Sequence, residues 1–126
     1  MIYFGCCNCR IENGILELPT QYEYEKYLMC VECTERDVLF LEFIKISDFE
    51  QESIKEISPM FIYKIEVEKR KVKLPDKFLN YIGNSKEALF CGCMDSFLII
   101  KCTDQNIIFD QETEIEVQKN IERIFE

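Results

Sequence analysis

Apolar and polar residues alternate with a period of two in two short stretches. Leu16 and Leu18 flank Glu17, and Val72 and Leu74 flank Lys73. Such alternation predicts half-buried strands with one wetted face. Glu12-Asn13-Gly14 ahead of the first stretch is good hairpin-turn chemistry, because Asn and Gly tolerate positive φ; Lys69-Arg70 ahead of the second is poorer. Each stretch ends in Leu-Pro. Proline lacks an N–H and has its φ preset, so it stops a strand and suits a first helical turn. Short helices are therefore predicted over Thr20 to Tyr27 and Asp76 to Ile82, the second ending at Gly83-Asn84. Two further strands follow each helix: Tyr27 to Cys33 and Val38 to Ile44 around a turn at Thr34–Asp37, then Ala88 to Cys93 and Phe97 to Cys102 around Met94–Ser96. Ser47-Asp48-Phe49-Glu50 has the form of a capping box and predicts a helix over Asp48 to Ile57. After a turn at Thr103–Asn106, Val117, Ile121, Ile124 and Phe125 share one helical face and predict a last helix from about Thr113.

These patterns repeat. Ile11 to Tyr22 aligns with Val67 to Phe78, 56 positions on, with Glu12/Glu68, Leu18/Leu74 and Pro19/Pro75 identical. The apolar pairs Ile11/Val67, Leu16/Val72 and Tyr22/Phe78 also match. The chain thus reads as a degenerate tandem repeat in one domain of 126 residues, with copies over about 1–58 and 60–105 and a C-terminal helix over about 113–126.

Hydrophobic residues make up 48% and charged residues 31% of the chain, which suits a globular core. The longest apolar runs, Val38–Leu41 and Phe97–Ile100, are strand-sized, so no membrane span is predicted. The N-terminus has neither a basic region nor a long apolar stretch, and a cytoplasmic location is expected. The net charge of −9 disfavours nonspecific binding to phosphate backbones. The charge is uneven: residues 1–59 hold 5 Lys/Arg against 12 Asp/Glu, and residues 60–126 hold 10 against 12. The basic excess gathers at Lys64 and over Lys69-Arg70-Lys71-Val72-Lys73.

The ordered set Gly14-Ile15-Leu16-Glu17-Leu18-Pro19, Val38-Leu39-Phe40-Leu41, Ser47-Asp48-Phe49-Glu50, Lys71-Val72-Lys73-Leu74-Pro75 and Ala88-Leu89-Phe90-Cys91-Gly92 resembles the MraZ family, in which two SpoVT/AbrB-type units stand in tandem. The resemblance covers roughly residues 1–105. It implies a mainly β fold with short helices (α+β), a swapped-hairpin β-barrel from two pseudo-symmetric repeats, homo-oligomeric rings, and transcription regulation through DNA binding. In the family each half carries an Asp followed four residues later by an Arg on the DNA-facing side. Here those positions are Ile11 and Ile15, then Val67 and Lys71, so only Lys71 keeps a charge.

The candidate DNA contacts are therefore Lys69, Arg70, Lys71 and Lys73, which suit phosphates more than bases. The alternative is a solvated strand face whose lysines discourage edge pairing, on a non-catalytic scaffold that binds a protein partner or a structural zinc and has lost sequence-specific DNA binding. For that zinc, Cys6-x-x-Cys9 and Cys30-x-x-Cys33 have ligand-like spacing. Neither pair is followed by the Gly of a zinc knuckle, and on a strand Cys6 and Cys9 would face opposite sides. Buried or interfacial thiols are the other reading, since Cys30 and Cys91 stand at corresponding places in the two copies. With eight cysteines and no secretion signal, reduced thiols are expected. No histidine and no Gly-rich phosphate loop is present, so no enzyme, cofactor or small-molecule substrate is expected. Tyr22, Tyr24 and Tyr27 read as packing residues, and Glu112, Glu114 and Glu116 as a solvated face.

Overall fold

The computed structural model describes residues 2–47 and 61–104. The chain runs β1 (Cys6–Glu12), β2 (Ile15–Glu17), β3 (Tyr27–Glu35), β4 (Val38–Lys45), β5 (Ile62–Glu66), β6 (Lys71–Lys73), α1 (Asp76–Ile82), β7 (Glu87–Cys93) and β8 (Ser96–Ile100), then a 3-10 turn at Cys102–Asp104. The helices expected over 48–57 and from Thr113 lie outside the described residues.

The eight strands form one sheet in the order β5-β3-β4-β8-β7-β1-β2-β6, antiparallel throughout. Just past β5, Glu68 and Lys71 exchange backbone hydrogen bonds of 3.1 and 2.9 Å, which nearly closes the sheet into a barrel. Hairpins of the two copies alternate around this ring: β3–β4 from the first, β8–β7 from the second, β1–β2 from the first, β6–β5 from the second. Neither copy can form the barrel alone.

The register shows an approximate two-fold. Leu16 and Val72, equivalent under the 56-residue offset, face each other in the β2–β6 ladder. The Leu18 N–H donates to the Arg70 carbonyl at 2.7 Å and the Leu74 N–H to the Gly14 carbonyl at 3.0 Å, the same bond made once by each copy. On the far side Leu41, four residues past Asp37, pairs with Ile99, four residues past Asp95.

Alternate residues of each strand fill the interior. Leu16, Leu18, Leu28, Leu41, Phe43, Val72, Leu74, Phe90, Phe97 and Ile99 are all at most 1% exposed and share one core. At its centre Phe97 stacks on Phe90 (4.7 Å between centroids) and on Phe43 (5.0 Å) and meets Tyr3 edge-on (5.2 Å). A second cluster of Val38, Leu89, Cys91 and Ile100, with Phe40 and Leu98 against it, takes the intervening residues of β4, β7 and β8. These strands bury both faces, which is why they read as continuous apolar runs.

Two expectations need correction. The segment expected as a helix over Thr20 to Tyr27 contains turns and bends but no helix, whereas Asp76–Ile82 is helical. The first segment is shorter, since β3 already begins at Tyr27. Its apolar pair is Tyr22 and Tyr24, spaced by two, while α1 buries Phe78 and Ile82, spaced by four. Only the second spacing fits one helical face. Tyr22 still enters the core where Phe78 does in the other copy, so the equivalence survives the loss of the helix. Cys30 and Cys91 are not equivalent: Cys30 belongs to the barrel core and Cys91 to the second cluster.

The hairpin turns take left-handed backbone. Asn13 and Gly14 (φ 52° and 75°), Arg36 and Asp37 (52° and 64°) and Lys69 and Arg70 (51° and 63°) each supply two consecutive positive φ values, as two-residue connections matched to strand twist require. The Lys69-Arg70 turn thus forms despite its side chains, because the barrel register leaves only two residues for it. Left-handed backbone costs an L-residue with a Cβ roughly 1–2 kcal/mol. Arg36 and Asp37 are exposed, so Arg36→Asn with Asp37→Gly should raise unfolding free energy by about 1 kcal/mol in urea titration, with the slope unchanged. A loss of stability would show that the Arg36 or Asp37 side chain contributes more than its turn strain costs.

Candidate functional site

The ring is least complete between β5 and β6. Their ladder goes no further than the Glu68–Lys71 pair, and beyond it the strands diverge around an open groove of about 660 Å³. Ile65 and Leu74 form its floor. Tyr63, Lys64, Glu66, Glu68, Lys69, Lys71, Lys73 and Asp76 stand around it.

Strand alternation aims these groups. On β6, Val72 is buried and Lys71 and Lys73 are exposed. Lys71 lies opposite Glu17 and Lys73 opposite Ile15. Glu17 is taken by Arg70, whose guanidinium stands 3.6 Å from its carboxylate and donates to the Leu18 carbonyl at 3.2 Å. Arg70 therefore ties the Lys69-Arg70 turn to β2 and does not line the groove. Among the described residues, Lys69, Lys71 and Lys73 make no ion pair. Lys64 lies over the Tyr27 ring at 4.7 Å to the centroid, with Lys26 at 5.5 Å, so Tyr27 packs beneath cations. Of the four candidate phosphate contacts, three thus meet at one groove and the fourth is a strut. Lys64 and Tyr63 complete the rim. Lys64 belongs to the basic excess visible in the sequence, but nothing there marks Tyr63.

A buried carboxylate lies behind the rim. The Glu32 side chain is 1% exposed, and neither of its oxygens has a hydrogen-bond partner among the described residues. Its compensating charge is Lys77 of α1, with Nζ 3.8 Å from Oε2. The exposed Tyr63 phenol approaches this carboxylate without reaching full hydrogen-bond geometry, and the approach, ahead of any burial, raises the phenol's pKa.

The corresponding gap in the first copy is narrower, about 210 Å³ between Arg10, Glu12, Asn13, Ile15 and Glu17, and its far end is covered. Tyr24 donates to the Pro19 carbonyl at 2.9 Å, just past β2, and packs on the core against Tyr3 and Phe97. Burial is the largest cause of its raised pKa, and Tyr3, Cys9, Tyr22 and Cys7 add to it. Tyr24 thus spans from β1 to the end of β2. In the second copy the segment after Pro75 is helical instead, and the groove stays open.

The cysteines are all free thiols, and Cys6, Cys9, Cys30 and Cys33 do not converge. Cys6 is exposed while Cys9 is buried in the barrel core, as alternation on β1 demands. β3 and β1 are separated by β4, β8 and β7 in the sheet. Among the described residues no three His, Cys, Asp or Glu side chains are placed to hold a metal ion. Burial drives the Cys9 pKa up to about 12 and that of Cys33 up to about 11, which opposes the thiolate form a metal needs. Of the positions that the MraZ-like alignment singled out, Ile11 is buried, Val67 packs against the core, and Ile15 and Lys71 are exposed.

Fold and groove together define a class, a mainly β barrel of two interleaved copies with one of two equivalent gaps much wider than the other. No helix among the described residues is long and apolar enough to cross a membrane. Comparison with protein-family models and with curated proteins finds no match to this chain.

Proposed function

We propose that this protein is a non-catalytic DNA-binding regulator of the MraZ type, acting as an oligomer, and that the β5–β6 groove holds the phosphate backbone. The observation that carries the reading is the placement of Lys69, Lys71 and Lys73 on one rim without ion pairs among the described residues, in a chain of net charge −9. Cations left unpaired in an acidic protein are available to an outside anion. Ile11 and Val67 replace the family's acidic positions, and burial keeps Ile11 from any ligand. Recognition therefore falls on phosphates, which position a protein without specifying sequence. One groove with three cations binds weakly, and repetition in an oligomer adds avidity without new contacts.

The test is duplex DNA binding by fluorescence anisotropy across a salt series. Replacing Lys69, Lys71 and Lys73 together by Ala should weaken binding at least tenfold at low salt. Each lost phosphate contact also removes about 0.9 from the log–log salt slope, so the slope should flatten by about 2 to 3. Unchanged affinity and slope would refute the reading. A second reading rests on a different observation. Both strands present unladdered edges to a groove that also carries Glu66, Glu68 and Asp76, a surface suited to an added strand from a protein partner. DNA binding that is indifferent to the three lysines would favour it.

A further inference from the structure

We propose that Cys6 and Cys91 form a cross-strand dithiol that peroxides or small disulfides convert to a disulfide, welding β1 to β7. The two residues are direct partners in the β1–β7 ladder. Gly92 N–H donates to Gly5 O at 2.9 Å and Ile11 N–H to Lys86 O at 2.7 Å, which places the hydrogen-bonded pairs at 5–92 and 11–86. Pairs alternate along an antiparallel ladder, so Cys6 and Cys91 occupy a non-hydrogen-bonded pair. There the Cα atoms stand about 4.5 Å apart and the side chains lean together. That separation lies within the roughly 4.4–6.8 Å over which a disulfide forms without backbone movement. Cys6 is also a neighbour of the Cys91 thiol, since after burial it is among the causes that raise the Cys91 pKa.

The two partners differ in access. Cys6 is exposed, and Cys91 is 1% exposed between Cys6 and Leu98 of β8. Cys6 is therefore the thiol an oxidant reaches. With hydrogen peroxide, the Cys6 sulfur attacks one peroxide oxygen, the O–O bond breaks, and Cys6 sulfenic acid and water form. The Cys91 sulfur then displaces hydroxide from the sulfenic sulfur, and the hydroxide leaves as a second water with the Cys91 proton. Two thiols lose two electrons and peroxide gains them. Cys93, exposed and two residues along the same strand face, offers the linked pair a third thiol for exchange. No other pair of cysteines is in direct register in the described sheet.

The experiment treats the folded full chain with hydrogen peroxide, and separately with oxidised glutathione, blocks residual thiols by alkylation, and maps linkages by tandem mass spectrometry without reduction. The expected result is a Cys6–Cys91 bridge as the main product, two hydrogens lighter than the dithiol, reversed by a thiol reductant and absent from Cys6→Ser. Oxidation should raise the thermal midpoint of the wild type and not that of Cys6→Ser, and Cys7→Ser should behave as wild type. Stable glutathione adducts or sulfinic acid at Cys6, with Cys91 still alkylated after unfolding, would overturn the proposal. So would a predominant bridge from Cys6 to Cys93.

Discussion

Replacing Phe97 by Ala should lower the unfolding free energy by about 3–5 kcal/mol. Phe97 is fully buried on β8, stacked against Phe90 and Phe43 and edge-on to Tyr3 and Tyr24. It is the ring through which second-copy strands meet first-copy strands, since its backbone pairs with Phe43 on β4 and with Gly92 on β7. Truncation loses the transfer energy of the ring and leaves a void that strands fixed on both sides cannot close. At a urea slope of about 2 kcal/mol per molar, the midpoint should fall by roughly 2 M with the slope unchanged. Domains of this kind have about 5–15 kcal/mol in all, so the variant should sit near the edge of folding. Phe97→Leu should cost much less, because it keeps most of the volume. A loss below about 1 kcal/mol for Phe97→Ala would mean that the aromatic centre described above is wrongly assembled.

Gly92→Ala should be nearly as damaging for a different reason. Gly92 has no need of special backbone freedom. A Cβ at this position would lie 2.3 Å from Phe4 N and 2.5 Å from both Phe4 Cα and Tyr3 C. All three are backbone atoms, so no rotamer change relieves the overlap. Either β7 bends or residues 3–5 leave it. The second outcome breaks the paired Tyr3–Met94 hydrogen bonds of 2.7 and 2.9 Å and the Gly92–Gly5 bond, and it pulls Tyr3, 1% exposed, from the core. It also separates the Tyr22 hydroxyl from the Phe4 carbonyl to which it donates. A loss of about 3 kcal/mol is expected, at the upper end for overpacking. The chain has six tyrosines and no tryptophan, so near-ultraviolet circular dichroism reports this cluster directly. Amide exchange at Tyr3 and Met94 should accelerate with it. Unchanged exchange at both would mean that the N-terminal segment does not run against Gly92.

The tandem copies also explain why one groove can specialise. Equivalent gaps arise between β1 and β2 and between β5 and β6, because each hairpin ladder is short. In the first copy Tyr24 covers the far end of the gap, leaving about 210 Å³, and cysteines line the strand beside it. In the second, α1 draws the following segment away, and lysines occupy the positions where the first copy has Ile15 and Glu17. A duplicated scaffold can narrow one gap and widen the other.

Much of the fold was legible in the sequence because it rests on local rules. The alternation through Leu16–Leu18 and Val72–Leu74 is a property of extended chain with one buried face. The Asn13-Gly14 turn, the prolines that end β2 and β6, and Gly83, which ends α1 at a φ of 65°, follow from backbone sterics. The 56-residue offset needed only the chain itself, and β3, β4, β7 and β8 were placed to within a residue or two at each end. The basic run was equally visible, since charge is a matter of composition. Tertiary structure decided the rest. Whether Pro19 begins a helix depended on how soon the chain had to enter β3. Which face a cysteine takes depended on strand parity, and that separated Cys30 from Cys91. Arg70 became a strut because Glu17 and the Leu18 carbonyl lie across the β2–β6 ladder, 52 or more positions away in sequence. The open groove, the buried Glu32 with its Lys77 counter-charge and the Cys6–Cys91 pair exist only where distant elements meet. Periodicity reports how a residue faces its own element, and contacts between elements are set by closure of the ring, to which every strand contributes.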